Sequence, residues 1–134
     1  MELVKKTIEI GSFHDPGFDM IACGGDWKVS VLNGLPRFYP GHLDYVERHS
    51  DSDEVFILTE GKARLFVVGS GDEPDMIPEI YPMEHGKAYN IKKNVWHAVE
   101  VNAGTRILVI ERTDTDDSNT IHFSYSFPNE KRQS

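Results

Sequence analysis

GHLDYVERHSDSDEVFILTEG, residues 41–61, is the stretch on which the reading of this chain turns. It sets Glu47, His49 and Glu54 among residues that otherwise favour strands. Successive side chains of a strand alternate between faces, so Tyr45, Glu47 and His49 point one way. Glu54, Phe56 and Leu58 likewise share one face of the following segment. If Phe56 and Leu58 face a core, Glu54 faces it too. A carboxylate in an apolar interior is costly unless a metal, a proton or a donor satisfies it. The link Ser50 to Asp53 is short enough for a hairpin bend, which would bring Glu54 near His49.

Working outward, strand signals continue along the chain. LVKKTIEI, WKVSVLN, HLDYVERH, EVFILT, KARLFVV, KAYNIK, HAVEV, TRILVIER and TIHFSYSF are rich in Val, Ile, Phe and Tyr. Turn-forming stretches such as NGLP, TEG, GSGDEPD, EHG and NAG separate them. No window holds apolar residues at helical spacing for any length. Many short strands at this spacing predict an all-β sandwich or barrel. MIPEIYPM carries Pro78 and Pro82, which confines it to a sheet edge if it is extended. No repeat or composition break divides the chain, so residues 1–134 are expected to form a single domain with a frayed tail at 129–134.

Composition narrows the partners. At 134 residues the chain can bury an ordinary core, and 39% hydrophobic with 27% charged residues is usual for a globular protein. The net charge of -8, from 22 acidic and 14 basic residues, repels phosphate backbones and anionic lipid, so neither nucleic acid nor membrane is an expected partner. Cys23 is the one cysteine, which suits a reducing compartment. The opening MELVKKTIEIG lacks the apolar core of a signal peptide. Cytoplasmic residence is the expectation.

Two spacings then carry a resemblance. Gly41 is followed after five residues by Glu47-Arg48-His49, after four more by Glu54, and after six more by Gly61. Gly86 is followed after five residues by Lys92-Lys93-Asn94, after two more by His97, and after three more by Val101. This resembles the two motifs of the cupin superfamily, in residues 41–61 and 86–101. Glu47 stands where the family has its first metal-binding histidine. Lys92, Asn94 and Val101 replace a proline, a glycine and an asparagine.

The resemblance implies an all-β, single-domain cupin jelly-roll barrel, expected as a homodimer through its N-terminal or an edge strand. It implies a site for a divalent transition metal (Fe, Mn, Ni or Zn) at His49, Glu54 and His97, with Glu47 as a fourth, oxygen-donating ligand. That donor set does not choose among the metals. The implied function is an enzyme on a small polar substrate, a sugar or a carboxylate, of the isomerase, lyase or dioxygenase kind. Glu47 is its general base if it is not itself a ligand. The alternative is a non-catalytic cupin with a degenerate metal site that binds or senses a small molecule.

Other residues carry less. His14 and His85 adjoin turns and are expected at the surface. His42 alternates away from Glu47. His122 reads as a surface residue or as part of a pocket rim. GSGDEP fails the phosphate-loop pattern at its last glycine. Asp51 and Asp53 are expected to stabilise the hairpin bend, and Cys23 to be a small buried residue. Trp96 alternates away from His97 and is expected to pack outside the barrel, in a dimer interface if there is one. Tyr45 and Arg64 are candidates for the pocket lining.

Overall fold

A computed structural model describes residues 3–4 and 7–128 of the chain; the expected frayed tail, 129–134, lies outside the described residues. The elements are β1 Leu3–Val4, β2 Glu9–Ile10, β3 Gly17–Cys23, β4 Trp27–Asn33, β5 Tyr45–His49, β6 Glu54–Glu60, β7 Ala63–Val67, β8 Glu79–Pro82, β9 Ala88–Ile91, β10 His97–Val101, β11 Arg106–Arg112 and β12 Thr120–Ser124. Two single-turn 3₁₀ segments, Pro36–Phe38 and Asp117–Asn119, interrupt them. β1 and β2 pair with each other. The other strands form two five-stranded sheets, ordered β12-β5-β10-β7-β8 and β3-β4-β11-β6-β9, with antiparallel pairing throughout.

One apolar cluster joins the two sheets and defines the barrel interior. It takes Leu32 from β4, Phe56 and Leu58 from β6, Leu65 from β7, Val99 and Val101 from β10, and Ile107 and Val109 from β11. The period-2 phase expected for β6 holds: Glu54, Phe56 and Leu58 are all buried on one face. β8, with its two prolines nearby, sits at a sheet edge as expected, because proline cannot donate to a further strand.

Several expectations need correcting. β5 and β6 do not form a hairpin. They belong to opposite sheets, and residues 50–53 cross between them. The end of β5 is tied elsewhere: the His49 carbonyl accepts from the Asn94 amide at 2.8 Å, and the Ser50 amide donates to the Asn119 carbonyl at 2.9 Å. Asp53 therefore serves a different turn, its Oδ1 accepting the Lys93 amide at 2.9 Å. LVKKTIEI is not one strand but the pair β1 and β2. β3 was not among the expected strands, because GFDMIAC mixes Gly17 and Asp19 into its pattern; pairing along β4, with a bulge between Met20 and Ala22, holds it extended.

Trp96 does pack outside the barrel interior, but not against a second copy. It is 1% exposed, in a cluster with Val46 and Val68 that Phe123, Tyr125 and Phe127 cover from within the chain. Arg48 lies over its ring at 4.3 Å.

The motif glycines have a structural reason. Gly41, Gly61 and Gly86 all take positive φ. So does Asn94, at φ 65, which occupies the second motif's departed glycine position and is the one non-glycine residue of this kind among those described. Asparagine is among the few side chains that tolerate this region, so the turn survives the exchange.

Candidate active site

Four strands deliver ionisable side chains to one end of the barrel. Tyr45, Glu47 and His49 line a cavity of about 440 Å³ from β5, with Glu54 from β6, His97 from β10 and Glu111 from β11. Pairing fixes their heights. Glu47 is the partner of His97 across β5 and β10, and Glu54 is the partner of Glu111 across β6 and β11.

Glu54 sits at the centre. Its Oε1 lies 3.0 Å from His49 Nε2 and 3.0 Å from His97 Nε2, and Glu47 Oε2 lies 3.4 Å from His49 Nε2. The far nitrogens are also held, which orients both rings: His97 Nδ1 donates to the Val95 carbonyl at 2.9 Å, and His49 Nδ1 lies 2.9 Å from Thr120 Oγ1. A carbonyl only accepts, so the neutral His97 ring carries its proton on Nδ1 and turns a bare Nε2 lone pair toward a carboxylate oxygen. Two lone pairs at 3.0 Å repel unless a proton or a cation lies between them.

The electrostatics register the same demand. Burial alone would lower the pKa of His97 and of His49, but hydrogen bonding to Glu54 and its charge outweigh burial and raise both. Burial pushes Glu54 upward, yet hydrogen bonds from the two imidazoles hold it well below the usual carboxylate range. The donor set fits a divalent cation: two imidazole nitrogens and carboxylate oxygens converge, with the outer nitrogens already fixed. Glu47, His49 and His97 each offer an atom within 4.8 Å of the others, as do His49, Glu54 and Glu111.

Glu111 was not singled out by sequence. The residue is 8% exposed and its carboxyl faces Glu54; burial, then the hydrogen bond to Glu54, push its pKa up to about 8. Lys28 Nζ lies 3.8 Å from Glu111 Oε1 and donates to the Thr115 carbonyl at 2.9 Å. In ILVIER both faces are apolar, so alternation does not say which face Glu111 shares. The available signal is weaker: it lies two positions from Val109, the inward residue, and so shares its face.

The rim brings in His122, whose ring stands 4.7 Å from that of Tyr45 and whose Nε2 lies 3.9 Å from Glu47 Oε1. Of the two sequence candidates for the lining, Tyr45 belongs to it. Arg64 does not. It bonds Glu100 on neighbouring β10, its Nε donating to Oε1 at 2.8 Å. His14, His42 and His85 are exposed, as the sequence suggests for the first and last, and Cys23 is half-buried.

Among solved structures, the chain is similar to a cupin-2 domain protein from Shewanella frigidimarina, with TM-score 0.53 and 23% identity over 75% of this chain and 84% of that one. Streptomyces PAC13, in its Y89F form with uridine, superposes with TM-score 0.60 at 12% identity, covering 93% of each chain. These likenesses establish the cupin barrel and nothing further. Among curated relatives, a ureidoglycolate lyase 2 from Rhizobium meliloti is 33% identical over 71% of this chain and 60% of that protein. A ureidoglycolate lyase from Rhizobium etli is 27% identical over 75% of this chain and 61% of that protein. The chain therefore spans about three fifths of the length of the curated relatives it matches. The Ureidoglycolate lyase family model matches residues 10–128. The chain belongs to the ureidoglycolate lyase family.

Proposed function

We propose that the protein is a lyase acting on ureidoglycolate or a close analogue, with Glu47 as its general base and His49, Glu54 and His97 as the holders of a divalent cation. Ureidoglycolate joins a ureido nitrogen, a hydroxyl and a carboxylate at one carbon. Lysis moves no net electrons. The hydroxyl loses its proton, its oxygen closes a carbonyl, the carbon–nitrogen bond breaks, and the departing nitrogen takes a proton to leave as urea. One carboxylate placed beside that carbon can accept the first proton and return it to the nitrogen.

The observation that carries this reading is the unequal exposure of the cluster. The Glu47 side chain is 30% exposed to the cavity, whereas those of His49, Glu54 and His97 are 7%, 8% and 3% exposed. The three buried groups are committed to one another. Glu47 reaches the same centre yet remains accessible to a bound molecule. A divalent cation held by the buried groups, when bound, supplies Lewis acidity toward a substrate oxygen.

The test is urea release from ureidoglycolate by protein reconstituted in turn with Mn(II), Fe(II), Ni(II) or Zn(II), alongside metal analysis of protein purified without chelator. The expected outcome is turnover with at least one metal, and a loss of roughly 10²- to 10⁴-fold in kcat for Glu47→Gln with folding unchanged. Absence of turnover with every metal would sink the lyase reading. Thermal stabilisation by small carboxylates without turnover would favour the non-catalytic binding protein instead.

A further inference from the structure

We propose that Arg37, together with the Tyr45 hydroxyl of the same cavity lining, receives the carboxylate of the substrate at the mouth of the cavity; the inference rests on the lyase reading above. The cavity lining is strongly one-sided in charge. Glu47, Glu54, Glu111, Asp116 and Asp117 all contribute carboxyl groups, and Arg37 is the one lysine or arginine among the described lining residues. On a chain of net charge -8, an anionic ligand entering that space needs a fixed cation to meet it.

Arg37 is suited to the task by its placement. It occupies the middle of the 3₁₀ turn Pro36–Phe38, between β4 and β5, with Pro36 pre-setting the backbone. Phe38 and Tyr39, which follow it, pack against the barrel core, so the exposed guanidinium stands on an anchored stem. The group lies over the Phe38 ring at 4.6 Å and takes part in no hydrogen bond or ion pair among the described residues. Its fork of N–H donors is thus available, and that fork matches a carboxylate in two parallel bonds. The contrast is Lys28, whose ammonium is engaged by Thr115 and Glu111.

Tyr45 adds a second donor. Its phenol lines the same cavity as Arg37. Tyr45 is also two residues from Glu47 on the same strand face. A substrate carboxylate held by Arg37 and Tyr45 would therefore place the adjoining carbon, with its hydroxyl, toward the Glu47 carboxylate. The substrate class that fits is a short 2-substituted carboxylate, with the anion outward and the reacting bond inward.

The experiment compares wild type, Arg37→Met and Arg37→Lys in two arms. In turnover of ureidoglycolate by the metal-reconstituted protein, Arg37→Met should raise KM roughly 10- to 100-fold with kcat held within about threefold, and Arg37→Lys should fall between. In calorimetric titration with glycolate, and with neutral glycolamide as the control, wild type should bind the anion in preference and Arg37→Met should lose that preference, with or without metal. An unchanged KM overturns the proposal while leaving the lyase reading intact. Should turnover be absent, the titration decides alone: Arg37-dependent glycolate binding sustains the carboxylate site without the lyase. Glycolate binding that needs the metal but not Arg37, or no binding by wild type, overturns it. Arg37 is exposed, so both variants are expected to fold, and their melting temperatures check that directly.

Discussion

The two ends of the barrel interior are built from the same strands and buried to nearly the same degree, yet from opposite chemistry. On β6, β10 and β11 the inward positions at one end are Leu58, Val101 and Ile107, at 1%, 0% and 0% exposed. At the other end they are Glu54, His97 and Glu111, at 7%, 3% and 8% exposed. Burial of the first trio is favourable in itself. Burial of the second is unfavourable, and each member is tolerated because a neighbour supplies a proton or an opposite charge. The apolar end holds the barrel together, and the polar end is a site the barrel can carry.

Truncation at the apolar end should have the largest effect. Leu58→Ala removes most of a side chain that is 1% exposed in the cluster joining the two sheets, and the cost is expected at about 3 kcal/mol of unfolding free energy, read from urea denaturation. If instead the loss stayed below about 1 kcal/mol, the apolar end would be too loosely packed to be the source of stability, and the contrast between the two ends would fail.

That contrast was partly legible in the sequence. Period-2 alternation in EVFILT placed Glu54 beside Phe56 and Leu58, and motif spacing named Glu47, His49 and His97, because both signals depend only on local order along the chain. Glu111 escaped because ILVIER is apolar on both faces, which is what a central strand covered on two sides tends to look like. The partition of β5 and β6 into different sheets was equally hidden. A four-residue link fits a hairpin or a crossing between sheets, and the choice is made by the non-local pairing of β5 with β10 and β12. Asn94 shows the converse: a departure from the expected glycine that the backbone accommodates by its φ of 65.

The polar end should give a smaller effect with a pH signature. In chelated, metal-free protein the folded pKa values of His49, His97 and Glu111 all lie above their unfolded values. The folded state then binds more protons than the unfolded one, so stability is greatest in mild acid and falls as pH rises from the glutamate value of 4.5 through Glu111's folded pKa of about 8. Glu54 acts in the opposite sense, its stabilisation being lost on acidification below its unfolded value. Glu111→Gln removes the carboxyl part of the decline. Denaturation from pH 5 to pH 9 should show variant and wild type nearly equal at the acid end, with the variant ahead by on the order of 2 kcal/mol at the alkaline end, a figure reduced for screening by water. Parallel curves would mean that Glu111 is ionised in both states, and that the polar end does not hold a buried proton.

Ser30 should give the smallest effect, and it tests where one end passes into the other. On β4 it lies between Lys28, which reaches Glu111, and Leu32, which belongs to the core; its register partner on β11 is Val109. It is 1% exposed, and its Oγ has no hydrogen-bond partner among the described residues. A buried hydroxyl without a partner costs folding free energy, and alanine removes that cost while leaving a gap of only one oxygen. Ser30→Ala should therefore be neutral or stabilising by up to about 1 kcal/mol in the same urea measurement. A loss of more than about 1 kcal/mol would mean that the hydroxyl is satisfied in solution. The polar end would then extend one position deeper along β4, and Ser30 would belong with Lys28 and Glu111 rather than with Leu32.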